Sequence, residues 1–202
     1  IMGDGKDVWP YIGHNERYRF DCSKLDQWEI VFDHMDKLGM MIHFVLQETE
    51  NECLLDIGNT DVQRKLYLRE LVARFAHHPA VTWNIGEENT NTLQQRKDFA
   101  AWFAALDVYG HPIVIHNGLS FSPLYGDPNY DGASIQATAS DVFKETLAVV
   151  RDSALAGRPW VASSDEQGPS LDGLVPDSVD PAHNVIRKNV LWGNIMAGGA
   201  GR

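Results

Sequence analysis

Two short apolar segments of this 202-residue sequence each run directly into a pair of acidic residues. Glu87 and Glu88 follow one segment, and Asp165 and Glu166 follow the other. Glycoside hydrolysis uses two carboxyl groups on opposite sides of the scissile bond, one protonated and one ionised. Acidic residues after strands also serve as helix N-caps or as solvated loop charges. The pattern alone therefore leaves a catalytic and a structural interpretation open.

Other polar and aromatic residues also follow apolar segments, where they could contact a sugar. Amide, carboxylate and imidazole groups can hydrogen-bond to hydroxyls, and an indole ring can stack on a pyranose face. Each polar residue could equally hold its own loop in place, and tryptophans at such places are more often part of the core. The candidates for sugar contact are Gln47, Glu50, Asn89, His116, Gln136 and the tryptophans Trp9, Trp160 and Trp192.

The sequence predicts no metal site and no cofactor. His43 has no partner in an H-x-H or H-E-x-x-H arrangement, and no G-x-G-x-x-G motif follows a predicted strand. The adjacent His77 and His78 stand at the far end of a predicted strand, which favours a structural role at a helix terminus. Cys22 and Cys53 lack metal-type spacing, so we expect buried free thiols, with a disulfide as the alternative.

Composition excludes some classes of partner. The formal net charge is −11, hydrophobic residues make up 44% of the chain and charged residues 22%. Nucleic acid and anionic membranes would be repelled by such a protein, whereas neutral sugars would not. No apolar run has the ~18–20 residues of a membrane span, and no signal peptide is visible. Because the sequence opens at Ile1 rather than at Met, we expect the N-terminus of the protein to lie upstream.

A helical pattern, a short apolar strand and a polar loop alternate along the chain. The predicted helices begin near residue 21, with Ser23 as a candidate N-cap, and near 61, 93, 141 and 182. The predicted strands are 40–46, 81–85, 113–115, 134–136 and 160–164. Buried strands joined by helical crossovers indicate a parallel sheet. The alternation fits a closed barrel and an open doubly wound sheet equally well, since both bind ligands at the carboxyl ends of their strands.

Five motifs give the chain a family resemblance from about residue 9 to residue 201. They are WEIVFDH (28–34), QETEN (47–51), WNIGEEN (83–89), DEQG (165–168) and LWGNIMAGG (191–199). With these motifs the chain resembles the catalytic barrel of clan A-type glycoside hydrolases. The resemblance is strongest to bacterial secreted glycosidases that often carry a C-terminal β-domain described as collagen-binding-like.

The resemblance implies a single (β/α)₈ TIM-barrel domain over residues 1–202. Full barrels run to about 250 residues, so the resemblance also implies an incomplete barrel. We expect it to extend from about the end of strand 2, at residues 1–5, to the start of strand 8, at residues 197–202. Secretion or a periplasmic location is a further expectation from the family.

The resemblance also implies roles for the acidic pairs. In clan A barrels the acid/base Glu follows an Asn at the end of the fourth strand, and the nucleophile Glu ends the seventh. This places the acid/base at Glu88 and the nucleophile at Glu166 in a retaining mechanism. Glu87 stands where the family usually has the Asn that holds the sugar 2-hydroxyl, so the choice between Glu87 and Glu88 stays open. Asp165 is expected to contact the substrate or to raise the pKa of Glu166, and a bond to the backbone is the alternative.

Two other functions remain open from the sequence. The chain could be a polysaccharide lyase or a metal-dependent hydrolase on a similar barrel, and a divalent metal at His43, His116 or Asp165 would favour the latter. It could also be a carbohydrate-binding barrel that has lost turnover, because a fold does not guarantee an activity. In each case the expected partner is a carbohydrate.

Overall fold

Five short strands and the helices between them make up the part of the chain that the structure describes. The computed structural model describes residues 9–116, 120–167 and 177–200. The strands are β1 (Ile42–Val45), β2 (Val81–Asn84), β3 (Ile113–His116), β4 (Gly132–Ala137) and β5 (Val161–Gln167). The helices are α1 (Cys22–Lys37), α2 (Val62–Phe75), α3 (Leu93–Leu106), α4 (Val142–Leu155), a π-helix (Val185–Trp192) and α5 (Gly193–Met196).

The order of the strands in the sheet, β1-β2-β3-β4-β5, is their order in the chain. The pairs β1–β2, β3–β4 and β4–β5 are all parallel. A doubly wound sheet reverses its strand order at a switch point, and the described strands show no reversal. The predicted class, an incomplete α/β barrel, is therefore confirmed. Residues 1–5, predicted as a strand exit, lie outside the described residues.

The chain divides into two compact units, Ile1–Ile113 and Val114–Arg202, with the boundary inside β3. In the first unit β1 pairs with β2 from Ile42↔Val81 to Val45↔Asn84. Both strands contribute apolar side chains, and helices α1, α2 and α3 bury aromatic rings against them. A chain of ring contacts forms this core, made by Phe32, Phe44, Phe75, Trp83 and Phe103.

In the second unit β4 lies between β3 and β5. A Cβ at Gly132 would stand 2.4 Å from the Val161 carbonyl oxygen, so the close approach of β4 to β5 requires glycine there. Beyond α5 the backbone N–H of Ala200 donates to the Ala162 carbonyl at 2.8 Å. The chain thus comes alongside β5 where the sequence predicted the start of another strand.

Three expectations about this fold need correction. Asp21 rather than Ser23 is the N-cap of α1, because its carboxylate accepts from the Lys24 backbone N–H; the Ser23 hydroxyl instead donates to Asp21. Cys22 and Cys53 are free, as expected, but both are exposed rather than buried. Strand β5 continues three residues past the predicted end, to Gln167.

No helix among the described residues is long and apolar enough to span a membrane.

Candidate active site

The loop that follows β2 holds Glu87 in a defined position. Asn84, the last residue of β2, is fully buried, and its side-chain oxygen accepts from the Gly86 backbone N–H at 3.1 Å. Its amide nitrogen donates to Glu87 Oε1 at 2.8 Å and lies 3.1 Å from His43 Nε2. The Glu87 backbone N–H also donates to the Gln47 carbonyl, at 3.0 Å. Both the backbone and the carboxylate of Glu87 are thus fixed from the ends of β1 and β2.

Glu88 stands in a different environment. Its side chain is exposed, and within the described residues its carboxylate has no hydrogen-bond or ion-pair partner. Its φ is 44°, in the left-handed region that residues with a side chain rarely adopt. Strained backbone of this kind tends to occur at functional sites, where surrounding structure maintains it. The strain is therefore an observation in favour of a role for Glu88.

Gln47 and Asn89 lie in a buried amide network beneath this loop. Their side-chain nitrogens both donate to Asn91 Oδ1, at 2.7 Å and 2.9 Å. The Asn91 backbone N–H in turn donates to Asn89 Oδ1. Both side chains are at most 3% exposed. They hold the loops together in this structure, and contact of either with a sugar stays a prediction. Glu50 is an exposed turn residue.

Sequence reasoning missed two residues that fix these loops. The buried carboxylate of Glu52 accepts from both the backbone N–H, at 2.7 Å, and the hydroxyl of Thr90. The guanidinium of Arg64, on α2, donates to the Gln47 side-chain oxygen and, at 2.6 Å, to the Glu52 carbonyl. Burial lowers the pKa of Arg64. No sequence signal separates these residues from solvated neighbours, because their partners are distant in sequence or belong to the backbone.

In the second unit, His116, Ser134 and Asp165 form a hydrogen-bonded chain. The Ser134 hydroxyl donates to Asp165 Oδ2 at 2.7 Å, and His116 Nδ1 lies 2.9 Å from the same hydroxyl oxygen. A hydroxyl has only one hydrogen to donate. Since the carboxylate takes it, His116 Nδ1 must be the donor toward Ser134, which fixes the tautomer of a buried imidazole. The Ser134 hydroxyl thus links the Asp165 carboxylate to the His116 imidazole.

Glu166 is held at the carboxyl end of β5. The Gln136 amide donates to Glu166 Oε1 at 2.7 Å, and Glu166 Oε2 lies 3.5 Å from His116 Nε2. A bulge shifts the register between Ile135 and Gln136, so that Gln136 pairs with Glu166 rather than with Asp165. A bulge of this type turns successive side chains toward one face. As a result Asp165 and Glu166 both reach the face of β4 that carries Ser134 and Gln136, and 37% of the Glu166 side chain is exposed.

The fold of this chain is similar to that of a crystallised protein. The neighbour is described as a "putative glycoside hydrolase from Bacteroides vulgatus" and superposes with a TM-score of 0.59 at 21% sequence identity. The match covers 75% of this chain and 30% of the neighbour's chain. At this identity the similarity shows the fold alone. No protein-family model matches the sequence. No curated protein matches it either.

The tryptophans fall into two groups. Trp160 is buried and packs against the rings of Tyr125 and Tyr130, so it belongs to the core of the second unit. Trp9 is also buried, beneath the Arg17 guanidinium. Trp192 is 52% exposed and lies on the π-helix. It lines a groove together with Phe143 of α4 and Met196 of α5. Stacking of Trp192 on a sugar stays a prediction.

One group of possible metal ligands lies at the other end of β2, away from these strand exits. It consists of Glu29, His77 and His78, whose ligand atoms lie within 4.8 Å of one another.

Proposed function

We propose that this chain is part of a retaining glycoside hydrolase that cleaves O-glycosidic bonds of a poly- or oligosaccharide. The incomplete α/β barrel, the acidic pairs at the ends of β2 and β5, and the neighbour described as a glycoside hydrolase support this proposal. The acidic net charge of −11 agrees with a neutral substrate. Secretion or a periplasmic location is proposed on the family resemblance alone.

The arrangement of Glu166 carries the proposal. A nucleophilic carboxylate must be ionised, held in one orientation and open to the substrate. Gln136 holds one oxygen of Glu166, and over a third of the side chain is exposed. In the proposed reaction Glu166 attacks the anomeric carbon while the acid/base protonates the leaving oxygen. The acid/base then deprotonates the water that hydrolyses the glycosyl-enzyme. The Gln136 amide orients Glu166.

The acid/base comes from the pair Glu87 and Glu88. The family resemblance assigns it to Glu88, and the strained backbone there agrees with a functional role. Glu87 is the alternative, because Asn84 fixes its carboxylate and its side chain is partly buried. In the first assignment Glu87 binds the sugar 2-hydroxyl; in the second the two roles are exchanged.

Matched variants Glu87→Gln and Glu88→Gln distinguish the two assignments. Loss of the acid/base should lower kcat/KM about 10²–10⁴-fold for aryl glycosides with poor leaving groups. It should affect glycosides with activated leaving groups far less, since those depart without protonation. Added azide should restore turnover, because azide needs no general base. We expect this pattern for Glu88→Gln and a loss independent of leaving group for Glu87→Gln.

The reverse pattern would move the acid/base to Glu87 and leave the mechanism intact. If both variants keep the parent's leaving-group dependence, the two-carboxylate mechanism is wrong.

The stereochemistry of the first product tests the mechanism independently. Two successive displacements at the anomeric carbon retain its configuration, whereas direct attack by water inverts it. Proton NMR during the first minutes of hydrolysis should therefore show the substrate's own anomer before mutarotation. Net inversion would exclude Glu166 as the nucleophile. Saturable binding of a polysaccharide without any product would instead indicate a non-catalytic carbohydrate-binding barrel.

A further inference from the structure

Three side chains that could bind a metal converge where α2 turns into β2. His77 and His78 follow the end of α2, and Glu29 faces them from α1. His77 Nε2 lies 3.0 Å from Glu29 Oε1, and His78 Nε2 lies 3.5 Å from Glu29 Oε2. The three ligand atoms are all within 4.8 Å of one another. They lie before the amino end of β2, so they are separate from the acidic pair that follows its carboxyl end.

The other nitrogen of each imidazole is already used. His77 Nδ1 lies 2.8 Å from the Arg74 carbonyl oxygen, and His78 Nδ1 lies 2.7 Å from Asp36 Oδ2. A carbonyl and an ionised carboxylate can only accept, so both Nδ1 atoms must donate. In the neutral rings the Nε2 atoms then carry lone pairs, and both are turned toward the Glu29 carboxylate. Three electron-rich groups in such proximity repel one another unless the imidazoles are protonated or a metal cation lies between them.

The burial of His78 adds an independent observation. Its side chain is fully buried, and within the described residues its Nε2 atom has no hydrogen-bond partner. An unpaired buried polar atom destabilises a fold, and most such atoms in proteins are paired with protein, water or an ion. The Nε2 atom of His78 therefore points to a ligand in this space.

We propose that Glu29, His77 and His78 form a binding site for a divalent transition metal, with Zn²⁺ as the best match. Ligands at about 2.0–2.2 Å from a tetrahedral zinc ion lie roughly 3.3–3.6 Å apart. His77 Nε2 and His78 Nε2 lie 3.0 Å and 3.5 Å from the two different oxygens of the Glu29 carboxylate, close to this range. His77 is about half exposed, so water can take the fourth position. The site joins α1 to the turn between α2 and β2.

The surroundings of the ligands match those of known metal sites. Metal-binding histidines usually donate their second N–H to a carboxylate or a backbone carbonyl, which fixes ring orientation and tautomer. Asp36 and the Arg74 carbonyl are positioned to do this for His78 and His77. Imidazole and carboxylate ligands suit zinc and its transition-metal neighbours, whereas Mg²⁺ and Ca²⁺ prefer oxygen ligands alone.

Metal titration of the purified, chelator-treated protein tests the site. Zn²⁺ should bind with a one-to-one stoichiometry in calorimetry and raise the unfolding temperature, because a ligand that binds only the folded state stabilises it. Co²⁺ should give visible absorption bands that Zn²⁺ abolishes, while Mg²⁺ should neither bind nor compete. These measurements do not involve sugar hydrolysis, so they succeed or fail independently of the proposed enzymatic function.

Variants of exposed or half-exposed ligands locate the site without disturbing the core. Glu29→Gln and His77→Ala should each weaken Zn²⁺ binding at least tenfold, and Asp36→Asn about 10–100-fold through the orientation of His78. His34→Ala, an exposed histidine on the same helix as Glu29, is the matched control and should leave the affinity unchanged. Absence of one-to-one binding, or equal affinities in the parent, Glu29→Gln and His77→Ala, would overturn the proposal and leave protonated ion pairs as the explanation.

Discussion

Replacement of Glu166 by Gln is expected to abolish hydrolysis while leaving the fold intact. We expect kcat/KM to fall by about 10⁴-fold or more, since removal of a catalytic nucleophile can cost roughly 10⁶-fold and loss of a proton-transfer group ~10²–10⁴-fold. Gln keeps the volume of the side chain and can still bond to Gln136. The free energy of unfolding should therefore change by no more than about 1 kcal/mol.

Steady-state kinetics on an aryl glycoside, together with urea unfolding, measures both quantities. Glu145→Gln, an exposed carboxylate near the start of α4, is the control and should retain full activity. A Glu166→Gln protein that unfolds, or one that hydrolyses substrate at the parent rate, would show that Glu166 is structural and would remove the main support for the proposed mechanism.

The strands and helices of this fold were largely predictable because burial patterns repeat along the chain. Helix α3 begins at the predicted residue, Leu93, since Thr92 and Gln95 form a capping box there. Strand β5 was predicted too short, because Asp165 and Glu166 look like loop residues. Hydrogen bonds from Ser134 and Gln136 keep them in the strand, and these partners lie on another strand.

The candidate site was predictable only as a set of positions. Polar residues at strand ends can be read from the sequence, but what each contacts depends on distant residues. Glu87 and Glu88 are identical and adjacent, yet Asn84 holds only the first, and only the second has a left-handed backbone. The pairing of Glu52 with Thr90 joins residues 38 positions apart, which no local pattern reveals. Long-range pairing, rather than local propensity, decides these details.

Arg64→Met is expected to destabilise the first unit strongly, although Arg64 contacts neither acidic pair. The guanidinium is 2% exposed and donates to Gln47 Oε1 and to the carbonyls of Glu52 and Asn59. Met would fill much of the volume but leave these buried acceptors unpaired. Hydrogen bonds from a charged group contribute about 1.5–3 kcal/mol each, and an unpaired buried acceptor costs about 1–3 kcal/mol. Met also removes the cost of burying a charge, which offsets part of this sum, so we expect a net loss of roughly 2–4 kcal/mol in the free energy of unfolding.

Urea unfolding of the Arg64→Met protein measures this loss. The control is Arg69→Met, because Arg69 is exposed and lies on the same helix. Arg69→Met should stay within about 0.5 kcal/mol of the parent. Arg64→Lys should restore little, because one ammonium group cannot span the acceptors that a planar guanidinium reaches. Activity should fall as well, since Arg64 holds Gln47, whose backbone carbonyl accepts from the Glu87 N–H. A stability change for Arg64→Met no larger than the control's would mean that water replaces the guanidinium. The loops after β1 and β2 would then be held by the Gln47–Asn89–Asn91 network and by the Glu52–Thr90 pairing.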